Sequence, residues 1–418
     1  MAFSLVRIKR IAVIGAGPSG MIAAIRASQL NQPVILFEKN SILGRKLLLS
    51  GKGRCNITNA SSLDLFLNRF SKNGEFLRSA FAKFFNQDIA GFFKERGLEL
   101  KTERQSRVFP VTDSSASVVE ILKNELIKNK VEVIYKTNIR DIIIDQGATK
   151  GVVLENGEFV RFDVVIMATG GLSYSFTGSS GEGLDIAKRA GHSLIPLRAG
   201  LVPLEVKEDY PRYLEGLTLE NIQLEFYSGK DKIVSEVGDL LFTSFGVSGP
   251  LVITLSGRVG DWLAQRKAVS LRIDLKPGLT EQQLDARFLR EFKLNAKKGL
   301  KSVMKTMLPL RLINLFLSIA KMPLDKKANQ VTQKERKELV ALLKGWKLNI
   351  SGVRPIEEGM VTRGGVNLKE INPRTMESRI IKGLYFCGEM IDIDADTGGF
   401  NLQAAFSTGY LAGESAAQ

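Results

Sequence analysis

The strongest constraint on the fold lies near the start of the chain. Residues 11–15 read IAVIG, an apolar and largely β-branched run that is typical of a buried parallel strand. The turn GAGPSG at 15–20 follows, and then the helical pattern MIAAIRASQL. A second apolar strand at 34–37 ends at Glu38, which comes 18 residues after Gly20. This strand–turn–helix–strand order predicts an α/β fold built on a parallel sheet.

The turn and the acid have the spacing of a dinucleotide-binding fingerprint, in which an acid follows the glycines by ~20 residues. Gly15 would make the tight turn, Gly17 would let the backbone approach a pyrophosphate, and Gly20 would let helix and strand pack closely. Pro18 and Ser19 open the helix, whose N-terminal N–H groups favour phosphate. The acid can accept hydrogen bonds from ribose hydroxyls. This context disfavours a glycine-rich turn without a ligand.

Three later segments favour FAD over NAD. A buried strand at 164–167 ends in ATGG, and a strand at 384–386 leads into CGE. The sequence DTGGFNLQ at 396–403 then opens a helix of small residues. Such a helix start can hold the flavin pyrimidine and stabilise negative charge on the reduced ring. The glycines at 177–191 have the wrong spacing for a second fingerprint, so NAD(P)H is expected to dock transiently as the electron donor.

The middle of the chain changes pattern twice. Residues 199–278 are predicted to be a β-rich insert, a small barrel or sandwich, and 279–349 a basic helical insert. The FAD-binding domain would then consist of 1–198 and 350–418. The predicted insert strands are Val202–Val206, Ile222–Tyr227, Leu240–Thr243, Val252–Ser256 and Val269–Leu275. The predicted helices contain LDARFLREF, LKSVMKTMLP, LRLINLFLSIA and QKERKELVALLKGW, and VEVIYKTNIRDIII at 131–144 predicts a hairpin-like strand pair.

Positive charge is concentrated in the helical insert. The net charge is +15, and residues 281–349 hold 16 Lys and Arg against 6 Asp and Glu, or +10 of that total. A solvated basic face is the alternative, but this clustering favours contact with phosphates, and therefore structured RNA as a partner. No apolar stretch reaches the ~18 residues of a membrane span, so a cytoplasmic protein is expected. The two cysteines form no CxxC motif, and no metal site is predicted.

Several sequence blocks resemble the HI0933-like flavoprotein family, a group of two-dinucleotide-fold flavoproteins related to the fumarate reductases. The blocks are GAGPSG at 15–20, FEKN at 37–40, GRKLLLSGKGRCNITN at 44–59, ATGG at 168–171, TRGGV at 362–366 and YFCGEMIDIDADTGGFNLQAAFSTG at 385–409. The resemblance implies a FAD domain built from both ends of the chain and a flavin-dependent oxidoreductase activity. Activities proposed in the family include reduction of carbon–carbon double bonds, and one branch is associated with uridine reduction in ribosomal RNA.

The resemblance also implies that the loop at 44–59 passes close to the flavin. Its cations would neutralise the pyrophosphate or the reduced ring, and its glycines would bring N–H groups to the isoalloxazine. The predicted cofactor-binding residues are Gly15, Gly17, Pro18, Ser19, Gly20, Glu38, Lys39, Arg45, Lys46, Ser50, Gly51, Gly53, Ile139, Ala168, Thr169, Gly170, Gly388, Glu389, Asp392, Gly398, Gly399, Phe400, Asn401, Leu402 and Gln403.

The predicted catalytic residues are Cys55, Arg54, Asn56 and Arg363. Reduction of an activated C=C bond needs a hydride and a proton, and the Cys55 thiol could give the proton while Lys52 and Arg54 stabilise its thiolate. The alternative, in which Cys55 is a small buried hydrophobe, has equal weight. Arg54 and Asn56 would face the substrate, and Arg363 would point into the site.

The single histidine argues against two other reactions. His192 follows a predicted helix, where a structural role is expected. A fumarate-reductase-like grip on a dicarboxylate and Ser/His/Asp hydrolysis both need a better placed histidine. The family resemblance, together with the basic helical insert, makes NAD(P)H-linked reduction of a uracil in ribosomal RNA the leading prediction. The alternatives are a small-molecule enone reductase or amine oxidase and a non-catalytic RNA-binding protein that carries FAD. The sequence predicts no oligomeric state.

Overall fold

A computed structural model describes residues 8–418. Their contacts divide the chain into two compact units. The first comprises the residues up to Gly200 together with Pro355–Gln418, and the second comprises Leu201–Arg354. No helix within residues 8–418 is long and apolar enough to cross a bilayer.

The N-terminal part of the first unit alternates strands and helices. Its strands are β1 (Ile11–Ile14), β2 (Val34–Phe37), β3 (Thr58–Asn59), β4 (Leu100–Thr102), β5 (Arg107–Pro110), β6 (Glu132–Ile134), β7 (Ile139–Asp145), β8 (Ala148–Leu154), β9 (Phe159–Arg161), β10 (Val164–Met167) and β11 (Leu194–Gly200). Its helices are α1 (Pro18–Gln29), α2 (Arg45–Leu49), α3 (Leu63–Leu67), α4 (Arg78–Lys83), α5 (Asn86–Lys94), α6 (Ser115–Lys128) and α7 (Glu182–Arg189).

The second unit contains both a barrel and helices. Its strands are β12 (Leu204–Val206), β13 (Thr218–Ser228), β14 (Asp231–Thr243), β15 (Gly246–Ser248), β16 (Val269–Asp274) and β17 (Trp346–Val353). Its helices are α8 (Pro250–Ala264), α9 (Glu281–Leu294), α10 (Leu300–Met304), α11 (Leu310–Ile319) and α12 (Gln333–Gly345). The four helices predicted within 279–349 correspond to α9–α12. The remaining elements, β18 (Val361–Val366), β19 (Leu384–Phe386) and α13 (Phe400–Ala416), return to the first unit.

A five-stranded parallel sheet forms the centre of the first unit, in the order β19-β10-β1-β2-β6. Every residue of β1, β2, β10 and β19 is buried, as expected for a parallel sheet covered on both faces. The carboxyl ends of these strands lie at one edge, so the residues that follow them, Gly15, Glu38, Ala168 and Cys387, share that edge. This arrangement confirms the predicted α/β class with a Rossmann-like sheet.

The strand pair predicted at 131–144 is wrong. β6 follows α6 and pairs in parallel with β2, which completes a βαβ unit. β7 instead pairs with β8 in a separate three-stranded antiparallel sheet. Two adjacent strand-forming runs look like a hairpin in sequence, but the preceding crossover helix commits the first run to the parallel sheet.

The second unit is built around a closed barrel with the strand order β12-β15-β14-β13-β16-β17. β17 comes after the four helices and closes the barrel by pairing with β16 and β12. Closure leaves no free edge to pair with another chain. A core of its own, which includes Phe226, Phe288, Phe316 and Trp346, fills this unit.

One predicted insert strand, Val252–Ser256, is wrong because the segment lies inside α8. Gly249 has φ of 95° and Pro250 occupies the first helical turn, where a proline is well tolerated. A short apolar run does not distinguish a strand from a buried helix, whereas the Gly-Pro pair does mark a helix start.

Candidate functional site

The turn after β1 combines two tightly packed glycines with one open glycine. Gly15 has φ of 99°, and a Cβ added to Gly20 would lie 1.9 Å from the carbonyl oxygen of Gly15. In the described part of the chain, a Cβ at Gly17 would meet nothing within 4 Å. No side chain of that part caps the α1 N-terminus, which starts at Pro18, and no acid lies in the first turn of α1. The backbone N–H groups here can therefore receive an anion.

Glu38 is buried and holds the turn in place. Its Oε2 accepts from the backbone N–H of Ala16 at 2.9 Å, and its Oε1 accepts from the N–H and the Nδ2 of Asn40 at 2.8 and 2.7 Å. A carboxylate oxygen has two lone pairs, so Oε2 keeps one position for another donor. That remaining position suits a ribose hydroxyl.

Two cations predicted to bind the cofactor are engaged by protein groups. Lys39 Nζ donates to Ser180 Oγ at 2.6 Å and to Glu182 Oε2 at 3.2 Å, while Arg45 Nη1 donates to Asn40 Oδ1 at 3.2 Å. Ile139 is buried at the start of β7. A direct cofactor contact from these side chains stays a prediction.

A charged cluster links four segments of the first unit. Lys46 Nζ contacts Glu389 Oε2 and donates to Ser173 Oγ at 2.6 Å. Glu389 Oε1 accepts from Ser173 Oγ and from the backbone N–H of Thr362, each at 2.6 Å. Sequence reasoning had missed Ser173 and Thr362. Their positions just after ATGG and at the start of TRGG were the available signals.

The Gly-Gly turn before α13 packs against β3. Gly399 has φ of 95°, and a Cβ there would lie 2.3 Å from the carbonyl oxygen of Thr58. Asn59 Nδ2 donates to the carbonyl oxygen of Gly398 at 3.0 Å. Gln403 is fully buried and its Oε1 accepts from Thr58 Oγ1 at 2.6 Å. The turn is thereby fixed to β3, the strand that follows the cysteine loop, residues 50–57.

The remaining predicted cofactor residues lie around these two turns. Thr169 Oγ1 donates to the Met390 sulfur, and the N–H of Gly388 donates to Thr408 Oγ1 at 3.0 Å. The Asn401 side chain exchanges two hydrogen bonds with the backbone of Ala395, accepting from its N–H and donating to its carbonyl oxygen. The ring centroids of Phe400 and Phe66 are 4.7 Å apart. Gly170 also has a positive φ, and Leu402 is partly buried against the core.

The cysteine loop is unusually constrained. Four of its residues, Gly51, Lys52, Gly53 and Cys55, have positive φ, and the N–H of Cys55 donates to the carbonyl oxygen of Ser50 at 3.0 Å. The Cys55 side chain is fully buried, and burial raises the pKa of its thiol to about 12. The thiol is therefore protonated at neutral pH.

The Arg54 guanidinium is engaged by two carboxylates. It pairs with Glu103 and, at 2.9 Å, with Asp113, and it stacks 4.1 Å from the centre of the Phe109 ring. These carboxylates raise the pKa of Arg54, against desolvation, which lowers it. The raised pKa of Cys55 runs against a stabilised thiolate. Beside it, Asn56 Oδ1 is enclosed by protein and has no hydrogen-bond partner among residues 8–418.

Arg363 is buried on β18, and its Nε donates to Asp394 Oδ2 at 3.2 Å. Asp394 also accepts from Ser71 Oγ at 2.6 Å. Burial, and then the neighbouring Asp394, raise the pKa of Asp392. Within residues 8–418 no group of three or more His, Cys, Asp or Glu could hold a metal ion.

These features fit a bound dinucleotide. The open Gly17 face and the free α1 N-terminus suit a pyrophosphate, Glu38 retains one acceptor position, and the unpartnered Asn56 Oδ1 marks an unsatisfied polar group in the cysteine loop. The Gly-Gly turn before α13 offers a second helix N-terminus. The residues present therefore fit a dinucleotide such as FAD.

Comparisons with known proteins agree with this assignment. The family described as "HI0933-like protein Rossmann domain" matches residues 9–415. The chain is 30% identical to a 3-dehydro-bile acid delta(4,6)-reductase of Clostridium scindens over 98% of this chain and 99% of that protein. It is also 30% identical to a ribosomal RNA dihydrouridine synthase of Escherichia coli over 95% of both chains.

A solved quinol-fumarate reductase has a similar fold. It matches with a TM-score of 0.52 and 16% identity, and covers 98% of this chain and 71% of that one. The family match over almost the whole chain, the relatives at 30% identity and the site geometry point to one conclusion. The chain belongs to the HI0933-like family of FAD-dependent Rossmann-fold oxidoreductases.

Proposed function

We propose that this oxidoreductase reduces the C5=C6 bond of a uracil in ribosomal RNA, with NAD(P)H as the electron donor. The observation that carries this proposal is a basic surface that runs from the end of α9 through the following loop to the end of α10, the α9–α10 surface. Arg290, Lys293, Lys297, Lys298 and Lys305 are exposed there, and none has an ion-pair partner among residues 8–418. The relative from Escherichia coli, which acts on ribosomal RNA, supports the same reading.

Other cations of the insert are paired with acids, unlike the five on the α9–α10 surface. Lys326, Arg336 and Lys344 each form an ion pair with a carboxylate of the same unit. Cations left unpaired together are available to displace counterions from a phosphate backbone.

Reduction of the uracil adds two hydrogens across one double bond. FAD, when bound, supplies the redox chemistry by which the hydride of NAD(P)H reaches the ring. The second hydrogen is a proton, and we assign its delivery to the Cys55 thiol, which lies in the constrained loop next to Asn56. The thiolate takes up a proton before the next turnover, and NAD(P)⁺ leaves.

The test is a defined turnover assay. Purified FAD-loaded protein is mixed with NADPH or NADH and with ribosomal RNA transcribed in vitro, which carries no modifications. We expect consumption of the nicotinamide in proportion to dihydrouridine, detected by mass spectrometry. Failure to bind or reduce the RNA at low salt would contradict the proposal.

Charge variants connect the basic surface to this activity. The triple variant K293A/K297A/K298A removes three exposed cations. The slope of log K for RNA binding against log salt concentration should become less steep by about 0.9 for each phosphate that these lysines neutralise. The matched control K94A/K123A/K130A removes three exposed lysines of the first unit. If RNA affinity fell equally in both variants, the α9–α10 surface would have no specific role in binding RNA.

A second candidate function rests on the bile-acid reductase relative. Reduction of a conjugated steroid enone would use the same hydride and proton deliveries. A 3-oxo-4,6-diene steroid added to the same assay decides between them. NAD(P)H-dependent turnover of the steroid without turnover of RNA would favour this alternative.

A further inference from the structure

The turn between β4 and β5 carries two arginines that the site described above does not use. Arg104 is exposed and Arg107 is half-buried, and neither has an acidic partner among residues 8–418. The nearby carboxylates of Glu103 and Asp113 are already engaged by Arg54 and Lys101. Two guanidinium groups are thus left without a counter-charge in a neighbourhood where other cations are neutralised.

The backbone of this turn is strained and firmly held. Gln105 and Ser106, between the two arginines, have φ of 60° and 57°, a region that non-glycine residues rarely adopt. The N–H of Ala60 donates to the carbonyl oxygen of Ser106 at 2.8 Å. Arg107 Nε donates to the carbonyl oxygen of Arg104 at 3.1 Å, which ties the second guanidinium to the turn. Strain of this kind persists only where the surroundings impose it, commonly at binding sites.

Asn59 connects this turn to the cofactor site. Its Nδ2 donates to the carbonyl oxygen of Gln105 at 3.0 Å and to that of Gly398 at 3.0 Å. Arg107 is also the direct cross-strand partner of Asn59. The arginines are therefore held beside the Gly-Gly turn at the start of α13.

We propose that Arg104 and Arg107 form an oxyanion site that binds a phosphodiester of the RNA next to the uridine being reduced. A planar guanidinium donates two parallel hydrogen bonds that match phosphate oxygens. The open turn at the α1 N-terminus already provides for the FAD pyrophosphate, so these cations are surplus to the cofactor. This inference rests on the proposed function, because it assigns one phosphate contact of that substrate.

The experiment compares R104Q, R107Q, the double variant and R107K with R140Q. Arg140 is an exposed arginine of β7, so its substitution removes the same charge elsewhere on the first unit. For each FAD-loaded protein, we would measure the Kd for in vitro transcribed ribosomal RNA at several salt concentrations. We would also measure KM and kcat for that RNA, the amount of bound FAD, and the rate of NADPH oxidation with ferricyanide as the electron acceptor.

We expect R107Q to raise Kd and KM for RNA about 10-fold and to flatten the salt slope by about 1. R107K should recover part of the affinity, since it restores charge but not the bidentate geometry. FAD content and ferricyanide reduction should match those of R140Q. Native Kd, salt slope and KM in the double variant would overturn the site while leaving the function intact. Native protein that binds no RNA would overturn both.

Discussion

Cys55 and Cys387 form a natural pair for separating chemistry from packing. Both are fully buried, and burial raises the pKa of each thiol to about 12. Only Cys55 lies in the loop with the unpartnered Asn56 and the strained backbone. The two thiols therefore have the same protonation state and differ in where they sit.

We expect C55A to retain FAD and to reduce the substrate about 10²–10⁴-fold more slowly, because it lacks the proton donor. C387A should keep near-native turnover. The native rate should also show no ionisation of Cys55 between pH 6 and 9, since its pKa is about 12. Stopped-flow turnover across that range provides the measurement, and equal rates for C55A and C387A would exclude Cys55 as the acid.

His192 makes the stability of the protein depend on pH. It is buried, and its Nε2 is hydrogen-bonded at 2.8 Å to the Ser378 hydroxyl, whose oxygen also accepts from the N–H groups of Ile380 and Ile381. Burial lowers the pKa of His192, partly opposed by Glu370. The unfolded chain therefore takes up a proton at a higher pH than the folded chain. The stabilisation is complete above the unfolded pKa and is lost as pH falls through the folded pKa.

The variant H192Q should lose less stability than the native protein as pH falls from 7 to 5. The difference is at most about 1.4 kcal/mol per pH unit, the limit for one proton. Urea unfolding at several pH values measures it, and curves recorded above pH 7.5 serve as the baseline. Parallel curves throughout the acid range would mean that this imidazole titrates normally.

Side-chain partners were the hardest features to foresee. The helix exit at Asn31 has the left-handed φ of 61° that its residue type allows, because this preference is local. Lys46, by contrast, pairs with Glu389, which lies 343 positions away in sequence. Arg54 pairs with Glu103 and Asp113, which follow β4 and β5 of the small β3–β5–β4 sheet. Such pairings depend on the completed fold, so sequence spacing placed these cations on phosphate or thiolate instead.

At the level of elements, α1 and α13 pack so closely that glycine is required between them. A Cβ on Gly409 would lie 2.2 Å from the carbonyl oxygen of Ser19, and one on Gly413 would lie 2.3 Å from that of Ala23. The close approach aligns the start of α1, and thus its anion-binding N-terminus, with the sheet. The small residues of α13 are therefore explained by its close packing against α1. The sequence showed that this helix is rich in small residues but did not show which helix it packs against.

The change G409A should lower the free energy of unfolding by about 3 kcal/mol and weaken FAD retention, because backbone atoms must move apart. G91A is the control. Gly91 lies inside α5, and a Cβ there would meet nothing within 4 Å, so alanine should stabilise the helix by about 0.5–1 kcal/mol. Thermal unfolding with FAD absorbance reports both effects. A neutral G409A would show that the helices can separate without cost.

For the whole molecule, the fold class was readable from short local patterns at both ends of the chain. The barrel was less so, because its closing strand, β17, comes after four helices and pairs with strands far away in sequence. Alternation within single strands predicted a β-rich insert but carries no information on closure. Val252–Ser256 shows a related limit, since a run of only five residues is too short for its apolar pattern to separate helix from strand.

The second unit should fold without the first. It is one continuous stretch, Leu201–Arg354, with a closed barrel and its own core. We expect a fragment of these residues to unfold cooperatively, with coincident transitions by circular dichroism and tryptophan fluorescence. Trp346, buried among Phe242, Phe316 and Tyr210, is a suitable probe. A fragment with helical signal but no sharp thermal transition would show that its barrel needs the rest of the chain.

The position of β19 and α13 has a consequence for how the protein is made. The parallel sheet lacks an edge strand, and α1 lacks its packing partner, until residues 384–416 have been synthesised. The ribosome thus releases the barrel before the sheet that flanks it in sequence can be completed. During that interval the backbone N–H and C=O groups of β10 that later pair with β19 are unpaired in the nascent chain. An unpaired strand edge can pair with another chain, so this is the site at which we expect chaperone binding to prevent aggregation. Translation that stalls within the final helix should therefore yield a folded middle and an aggregation-prone start.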